Sequence, residues 1–252
     1  MQYVDDALPR RIDGWRSPTL GADMPIVIYG DRGRPLLLFP TAAADFLENE
    51  RYYLVKSVEQ AILAGRVQLY SIDSINRHAW MNDRLPLPEK TRRQNLYARY
   101  VEDEVAPFIR EVVGSADVRI ATTGASFGAF HAVNTLCRRP DLFDTVIAMS
   151  GFYDLGPNYL RGYHDDNSYF NNPTWYLQGL EGRYLDLLRA RCSIHILTGQ
   201  GDYEDPGASR GFSALLASKG IPHELEVWGH DVNHDWPWWR MMLPYAIDKL
   251  GW

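Results

Sequence analysis

A serine with a glycine two residues to either side, Gly124-Ala125-Ser126-Phe127-Gly128, stands between a short apolar run, residues 118–121, and a helix of small residues. The strand before and helix after make this G-x-S-x-G a nucleophile elbow, where the serine sits on a strained turn and its hydroxyl projects from the top of a sheet. Glycines are needed at both ends because a Cβ there would strike the neighbouring strand and helix. A hydroxyl nucleophile needs a base to take its proton, a carboxylate to orient the base, and donors for the oxyanion. In this topology the chain order is serine, acid, histidine. Downstream of Ser126 one strand end offers Asp202, Glu204 and Asp205, and the next offers His230 and His234. His234 is the preferred base, standing before the tryptophan-rich helix start HDWPWW, where Trp236 or Trp238 could wall its ring. His230 comes straight off the strand and could equally be structural. Their i, i+4 spacing would suit a metal pair on a helix, yet the segment reads as non-helical and lacks H-E-x-x-H, so no metal is expected. Either Asp202 or Glu204 could reach the imidazole, the other capping the next helix.

The elements that must position these groups alternate between strand and helix. Residues 26–29 and 34–39 read as strands joined by a hairpin-like turn at 30–33. The small-residue loop Pro40-Thr41-Ala42-Ala43-Ala44-Asp45 follows, able to turn backbone N–H groups into a site. Residues 52–64 have helical spacing and 67–72 read as a strand. After a loop to Leu87, residues 91–113 form a long amphipathic helix with Tyr97, Tyr100, Val101, Val105, Phe108 and Ile109 on or near one face. Pro107 predicts a kink or restart in it. Strands follow at 144–149, 193–198 and 224–228, with helices at 208–219 and from Trp236 to Leu250. This alternation implies one α/β domain, its sheet mostly parallel with an antiparallel N-terminal edge. Working groups in such sheets collect at the carboxyl ends of the strands. Residues 153–182 form an irregular aromatic-rich insert, read as a lid or binding loop in which Tyr153 and Trp175, with Trp236 beyond it, contact substrate. Its His164-Asp165-Asp166-Asn167 run reads as a polar loop in preference to a cation site.

A chain of 252 residues with 46% hydrophobic content can bury one large core. A net charge of −6 gives no reason to expect nucleic acid or an anionic membrane as partner. The basic pairs Arg92-Arg93 and Arg138-Arg139 read as solvated helix faces. The two cysteines, Cys137 and Cys192, each lie in or beside an apolar element and read as reduced core thiols. The first fifteen residues lack the apolar centre of a signal peptide, and no apolar run approaches the ~20 residues of a membrane span. A soluble cytoplasmic protein is expected. The aromatic content of 13%, with eight tryptophans, would suit an aromatic-lined pocket, a lid or a homodimer interface.

The chain resembles the α/β-hydrolase superfamily, in particular its putative-esterase (esterase D-like) branch, over roughly residues 25–250. The resemblance rests on GASFGAFHAVNTLCRRPDLFDTVIAMSGFYD around Ser126, on YVEDEVAPFI before it, and on the closing GHDVNHDWPWWRMMLPY. It implies a three-layer fold with helices on both sheet faces and an ester hydrolase that needs no cofactor. The branch places its histidine before an aromatic helix, matching His234 with Trp238 or Trp239. A G-x-G-x-x-E pattern, here Gly199, Gly201 and Glu204, tilts the acid toward Glu204, with Asp202 the alternative. Oxyanion donors are implied at the amides of Phe127 and of the loop after the second apolar strand. Many members carry His-Gly in that loop; here Pro40-Thr41 stands instead, which makes Ala42 the expected second donor. The expected activity is cleavage of a small-molecule carboxylic ester through an acyl-enzyme. An acyltransferase or an S-formylglutathione hydrolase-like thioesterase would use the same triad, and a non-catalytic ligand-binding module would keep only the fold.

Overall fold

The computed structural model describes Val4 and residues 7–252. The expectation of no signal peptide therefore rests partly on residues outside those described. Among the described residues eight strands form one sheet: β1 (Arg10–Arg16), β2 (Asp23–Tyr29), β3 (Arg34–Phe39), β4 (Val67–Ile72), β5 (Ile120–Ala125), β6 (Phe143–Met149), β7 (Ser193–Thr198) and β8 (His223–Val227), in the order β1-β2-β4-β3-β5-β6-β7-β8. From β4 to β8 every neighbouring pair is parallel, while β2 runs antiparallel to both β1 and β4. Strands β3, β4, β5 and β6 are buried almost throughout, as a parallel sheet covered on both faces requires.

The antiparallel edge exists, but the hairpin expected between β2 and β3 does not. β4 lies between them, with Ile26 opposite Ile72 on one side and Leu36 opposite Leu69 on the other. The turn at 30–33 carries the chain past the start of β4 instead. Gly33, at φ +115°, lies so close that a Cβ there would come within 2.8 Å of the Val67 backbone. The hairpin actually formed joins β1 to β2 through residues 17–22, closed by Ser17 N–H to Ala22 O at 2.8 Å.

The helices are α1 (Glu48–Arg51), α2 (Leu54–Ser57), α3 (Glu59–Leu63), α4 (Leu87–Tyr100), α5 (Ala106–Val113), α6 (Phe127–Arg138), α7 (Asp166–Tyr169), α8 (Pro173–Gly179), α9 (Arg183–Arg191), α10 (Pro206–Ser218) and α11 (Trp236–Lys249). The single helix expected over residues 52–64 is broken into short pieces, with Tyr53 in the left-handed region at φ 62° between α1 and α2. Between α4 and α5 the helix widens into a π turn at Val101–Val105. Pro107, just beyond, has no N–H to give the preceding turn, and the i→i+5 pattern absorbs that loss without breaking the helix.

Two cores sandwich the sheet. On one face Ile26, Leu37, Phe39, Tyr70 and Ala148 pack against Tyr97, Tyr100, Val105 and Ile109 of the α4–α5 rod, with Ala132 and Leu136 of α6 and Phe212 of α10. On the other, Val27, Leu36, Leu38, Leu69 and Ile147 pack against Leu54, Val58 and Ile62 and against Trp239, Met242, Leu243 and Ile247 of α11. Cys137 and Cys192 are buried, unbonded thiols in the first core. The basic pairs are tied to carboxylates, Arg92 and Arg93 to Glu89, Arg138 to Glu102 and Arg139 to Asp141. Among the described residues no helix is long and apolar enough to cross a membrane.

Candidate active site

Ser126 lies between β5 and α6 with φ 58° and ψ −122°, a backbone state that L-residues avoid and that surrounding structure must impose. Its amide is held by Met149 O of β6 at 3.0 Å. The flanking glycines explain how the turn fits: a Cβ on Gly124 would come within 2.5 Å of the Gly128 backbone, and one on Gly128 within 2.7 Å of the carbonyls of Phe39 and Pro40. The elbow therefore presses directly on the end of β3, where the small-residue loop begins. Phe127 is the first residue of α6, where backbone N–H groups have no carbonyl a turn earlier to donate to.

In that loop the polar groups are tied outward. Thr41 donates its N–H at 2.7 Å and its hydroxyl at 2.8 Å to Glu48 of α1. Burial raises the Glu48 carboxyl above its ordinary value, against the lowering pull of the Thr41 hydrogen bonds. The Ala42 carbonyl accepts from Ser74 Oγ at 3.0 Å and Asn76 Nδ2 at 2.7 Å, and the Ala43 carbonyl from Arg77 at 3.1 Å. With its own carbonyl doubly held, the Ala42 N–H has no hydrogen-bond acceptor among the described residues.

The acid and base candidates ride on two loops laid side by side. Gln200 N–H bonds Gly229 O at 3.1 Å, Gly201 N–H bonds Val232 O at 2.9 Å, and His234 N–H bonds Asp202 O at 2.9 Å. Gly201 permits this approach, since a Cβ there would sit 2.1 Å from Asn233 Oδ1. His234 Nδ1 lies 4.0 Å from Glu204 Oε2, and the Glu204 side chain is 1% exposed. Glu204 accepts hydrogen bonds from Ser150 Oγ and, at 2.9 Å, from Thr198 Oγ1. Trp239 Nε1 donates to Ser150 Oγ at 2.9 Å and its ring meets the His234 ring edge-on at 5.1 Å. The separation of 4.0 Å exceeds a hydrogen bond, the relaxed geometry common before substrate draws such groups together. Asp202 is exposed and meets His234 through its backbone carbonyl, and Asp205 caps α10 by accepting from Ala208 N–H at 3.0 Å. His230 is exposed on the turn after β8.

Burial lowers the His234 imidazole below its ordinary 6.5, while Glu204 and Asp235 pull it partly back. A base must be unprotonated to accept the serine proton, so the acid limb of kcat/KM is expected to have its midpoint below 6.5. A pH–rate profile with its acid midpoint above 6.5 would contradict this placement.

The remaining expected residues divide. Trp236 is half-buried and stacks on Tyr52 at 4.5 Å beside Trp239. Trp175 stacks on His164 at 5.1 Å at the margin of an aromatic cluster around Phe127. Tyr153 is different. It is 1% exposed and stacks on Phe212 at 4.4 Å inside the core, so it supplies no surface for substrate. Contacts that sequence reading missed come from Phe152 and Tyr159, which meet Phe127 at 5.0 and 5.2 Å, with Trp80 against Tyr159 at 5.7 Å. For Tyr159 the only sequence signal is the aromatic enrichment of the insert; Phe152 and Trp80 lie outside it. In the polar run the Asp165 carboxylate caps α7 and accepts from Thr91 and Tyr163.

A sheet of this order, with helices on both faces and a strained serine at the carboxyl edge between strand and helix, is the α/β-hydrolase fold. A family model described as putative esterase matches residues 58–250; the chain belongs to that family and is an enzyme that acts on esters. No curated protein sequence matches the chain. Among solved structures it is similar to a ferulic acid esterase, at 17% identity and a TM-score of 0.72 with 96% of this chain and 97% of that one covered. It is also similar to an S-formylglutathione hydrolase from Staphylococcus aureus, at 14% identity and TM-score 0.69 with 98% of each chain covered. A fluorophosphonate-binding serine hydrolase from Staphylococcus aureus gives 14% identity and TM-score 0.71, covering 96% of this chain and 98% of that one.

Proposed function

We propose that the protein hydrolyses carboxylic esters by a Ser126–His234–Glu204 triad, through an acyl-enzyme. The observation that carries this reading is the buried Glu204 carboxylate, held by two hydroxyl donors and facing His234 Nδ1. In each half-reaction the roles follow from chemistry. His234 takes the Ser126 proton as Oγ attacks the carbonyl, then delivers it to the leaving alkoxide. In the second half water replaces Ser126 as nucleophile, and the alkyl alcohol and carboxylic acid are the products. Glu204 keeps the imidazole in the tautomer with a proton on Nδ1, leaving Nε2 to accept, and stabilises the imidazolium that forms. The amides of Phe127 and Ala42 receive the negative charge that develops on the carbonyl oxygen. The aromatic group of Phe152, Tyr159 and Trp175, carried largely by the 153–182 insert, walls one side of the ester, and Trp236 with Tyr52 flanks His234. A cytoplasmic setting accords with the two buried free thiols.

A fluorophosphonate probe tests the reading. It is expected to label Ser126, located by mass spectrometry of the tryptic peptide, and neither Ser126→Ala nor His234→Ala should label at the wild-type rate. Absence of an adduct on a folded, wild-type protein would end the proposal.

A further inference from the structure

Among the described residues His131 is the one buried histidine, and the proposed triad does not use it. It lies on α6, one turn past Phe127, and is 2% exposed. Its ring stacks on Phe127 at 5.1 Å and Phe39 at 5.9 Å, with the edges of Tyr97 and Phe130 closing the cage at 5.1 and 5.5 Å. Within this apolar box the ring makes one polar contact, Nε2 to Asn76 Oδ1 at 3.2 Å. Asn76 is fully buried, and its Nδ2 donates to the Ala42 carbonyl at 2.7 Å. That donation fixes the amide's orientation: Nδ2 points to the loop, so Oδ1 must face the imidazole, and Nε2 must carry the proton. Burial, which holds this imidazole neutral, agrees with the assignment. The same carbonyl takes a second hydrogen bond from Ser74 Oγ, which also receives the Asn76 N–H at 3.1 Å.

We propose that His131 and Asn76 are positioning residues that aim the Ala42 amide at the developing oxyanion. The peptide plane that carries the Ala42 N–H lies between Thr41 and Ala42 and is held between two anchored neighbours. Glu48 fixes the plane before it through the Thr41 N–H, and Asn76 and Ser74 fix the plane after it through the Ala42 carbonyl, with Asn76 in turn paired to the caged imidazole. A second arrangement of the amide, rotated so that Nδ2 faces His131, would remove the donor from Ala42 and oppose two donors to each other. It would also set Oδ1 against the Ala42 carbonyl oxygen, so the carbonyl and the Nε2 tautomer select the same orientation together. Because Phe127 supplies the other amide and also packs face-on against His131, one ring references both halves of the oxyanion site. This inference rests on the proposed function, in which Ala42 is an oxyanion donor.

Removing a whole oxyanion donor costs about 10²–10³ in kcat, and loosening one should cost less. Asn76→Ala is expected to lower kcat on p-nitrophenyl acetate about 10- to 100-fold with KM within about twofold, since the oxyanion forms only in the transition state. His131→Phe keeps the stacked ring but loses the N–H, and should lower kcat about tenfold; His131→Gln, which restores an N–H donor, should recover most of that loss. Melting temperatures measured alongside separate positioning from packing. If both Asn76→Ala and His131→Phe keep wild-type kcat while melting lower, the two residues only fill the core and the inference is overturned. Should Asn76→Ala fail to fold, the His131 pair decides alone: loss in Phe with recovery in Gln supports the relay, and equal kcat in the two overturns it. Wild-type protein left unlabelled at Ser126 by fluorophosphonate would sink the esterase mechanism instead, a result distinct from either outcome above.

Discussion

Glu204→Gln is expected to lower kcat by on the order of 10⁴, while Asp202→Asn leaves it within a few-fold of wild type. The two carboxylates stand two residues apart on one loop, and the difference comes from what each faces. The Glu204 side chain is 1% exposed, and its two oxygens already accept from Ser150 and Thr198. Both hydroxyls donate because an ionised carboxylate only accepts, and Trp239, by donating to Ser150 Oγ, leaves that hydroxyl's proton free for Glu204. An amide at this position must either point its NH₂ at His234 Nδ1, removing the acceptor that selects the productive imidazole tautomer, or set it against the Ser150 hydroxyl, opposing two donors; in both cases the charge that stabilises the imidazolium is gone. The Asp202 side chain is exposed, and its part in the site is a backbone carbonyl that the Asn substitution keeps. Steady-state kinetics on one ester substrate, with circular dichroism as a control for folding, reads both variants. Equal losses in the two, or a larger loss in Asp202→Asn, would remove Glu204 from its role.

The strained serine turn and the class of fold are legible in the sequence because each has a local signature. Gly124 is demanded by the Gly128 backbone four residues on, and Gly128 by the carbonyls of Phe39 and Pro40 at the end of β3, so the pattern reports the turn and the strand it presses on. The choice between Asp202 and Glu204 was not legible, since spacing places both beside the base and only burial separates them. Asn76 and Ser74 left no signal at all. They lie more than thirty residues from Ala42 in a stretch without apolar period, and reach it only because β4 lies beside β3. His131 follows Ser126 by five residues on α6, but nothing local points to Asn76 as its partner.

The errors in the fold have the same origin. β1 is exposed along nearly its whole length, so RRIDGWR carries no alternation to read, and the antiparallel edge was assigned to the wrong pair of strands. Parallel order is set by crossovers rather than by turns, so two apolar runs joined by Gly-x-x-Gly look like a hairpin when a third strand lies between them. Tyr153 was misplaced for a related reason. Aromatic residues of the insert all look alike in sequence, yet Tyr153 enters the core, its hydroxyl 2.8 Å from where a Cβ on Gly151 would stand, while Phe152 and Tyr159 meet Phe127.

His131 should also contribute to the protein's loss of stability in acid. Burial depresses its imidazole from 6.5 to about 3, so between those values the unfolded chain binds a proton that the folded one refuses. The unfolded state then holds more protons, and stability rises with pH across the window. The contribution is complete above 6.5 and drains away as the pH falls toward about 3; by pH 4 the loss amounts to about 3 kcal/mol from this group alone. A phenylalanine in the same cage has no proton to refuse. His131→Phe is therefore expected to start less stable at pH 7, by about 1–3 kcal/mol for the unpaired Asn76 oxygen, and to lose less on acidification than wild type does. The carboxylates titrate in both proteins and cancel in the comparison. Urea unfolding from pH 7 to pH 4 reads the difference: curves that converge as the pH falls support a caged neutral imidazole, and curves that stay parallel would mean that position 131 takes up its proton without cost, which neither its burial nor its contact with Asn76 allows.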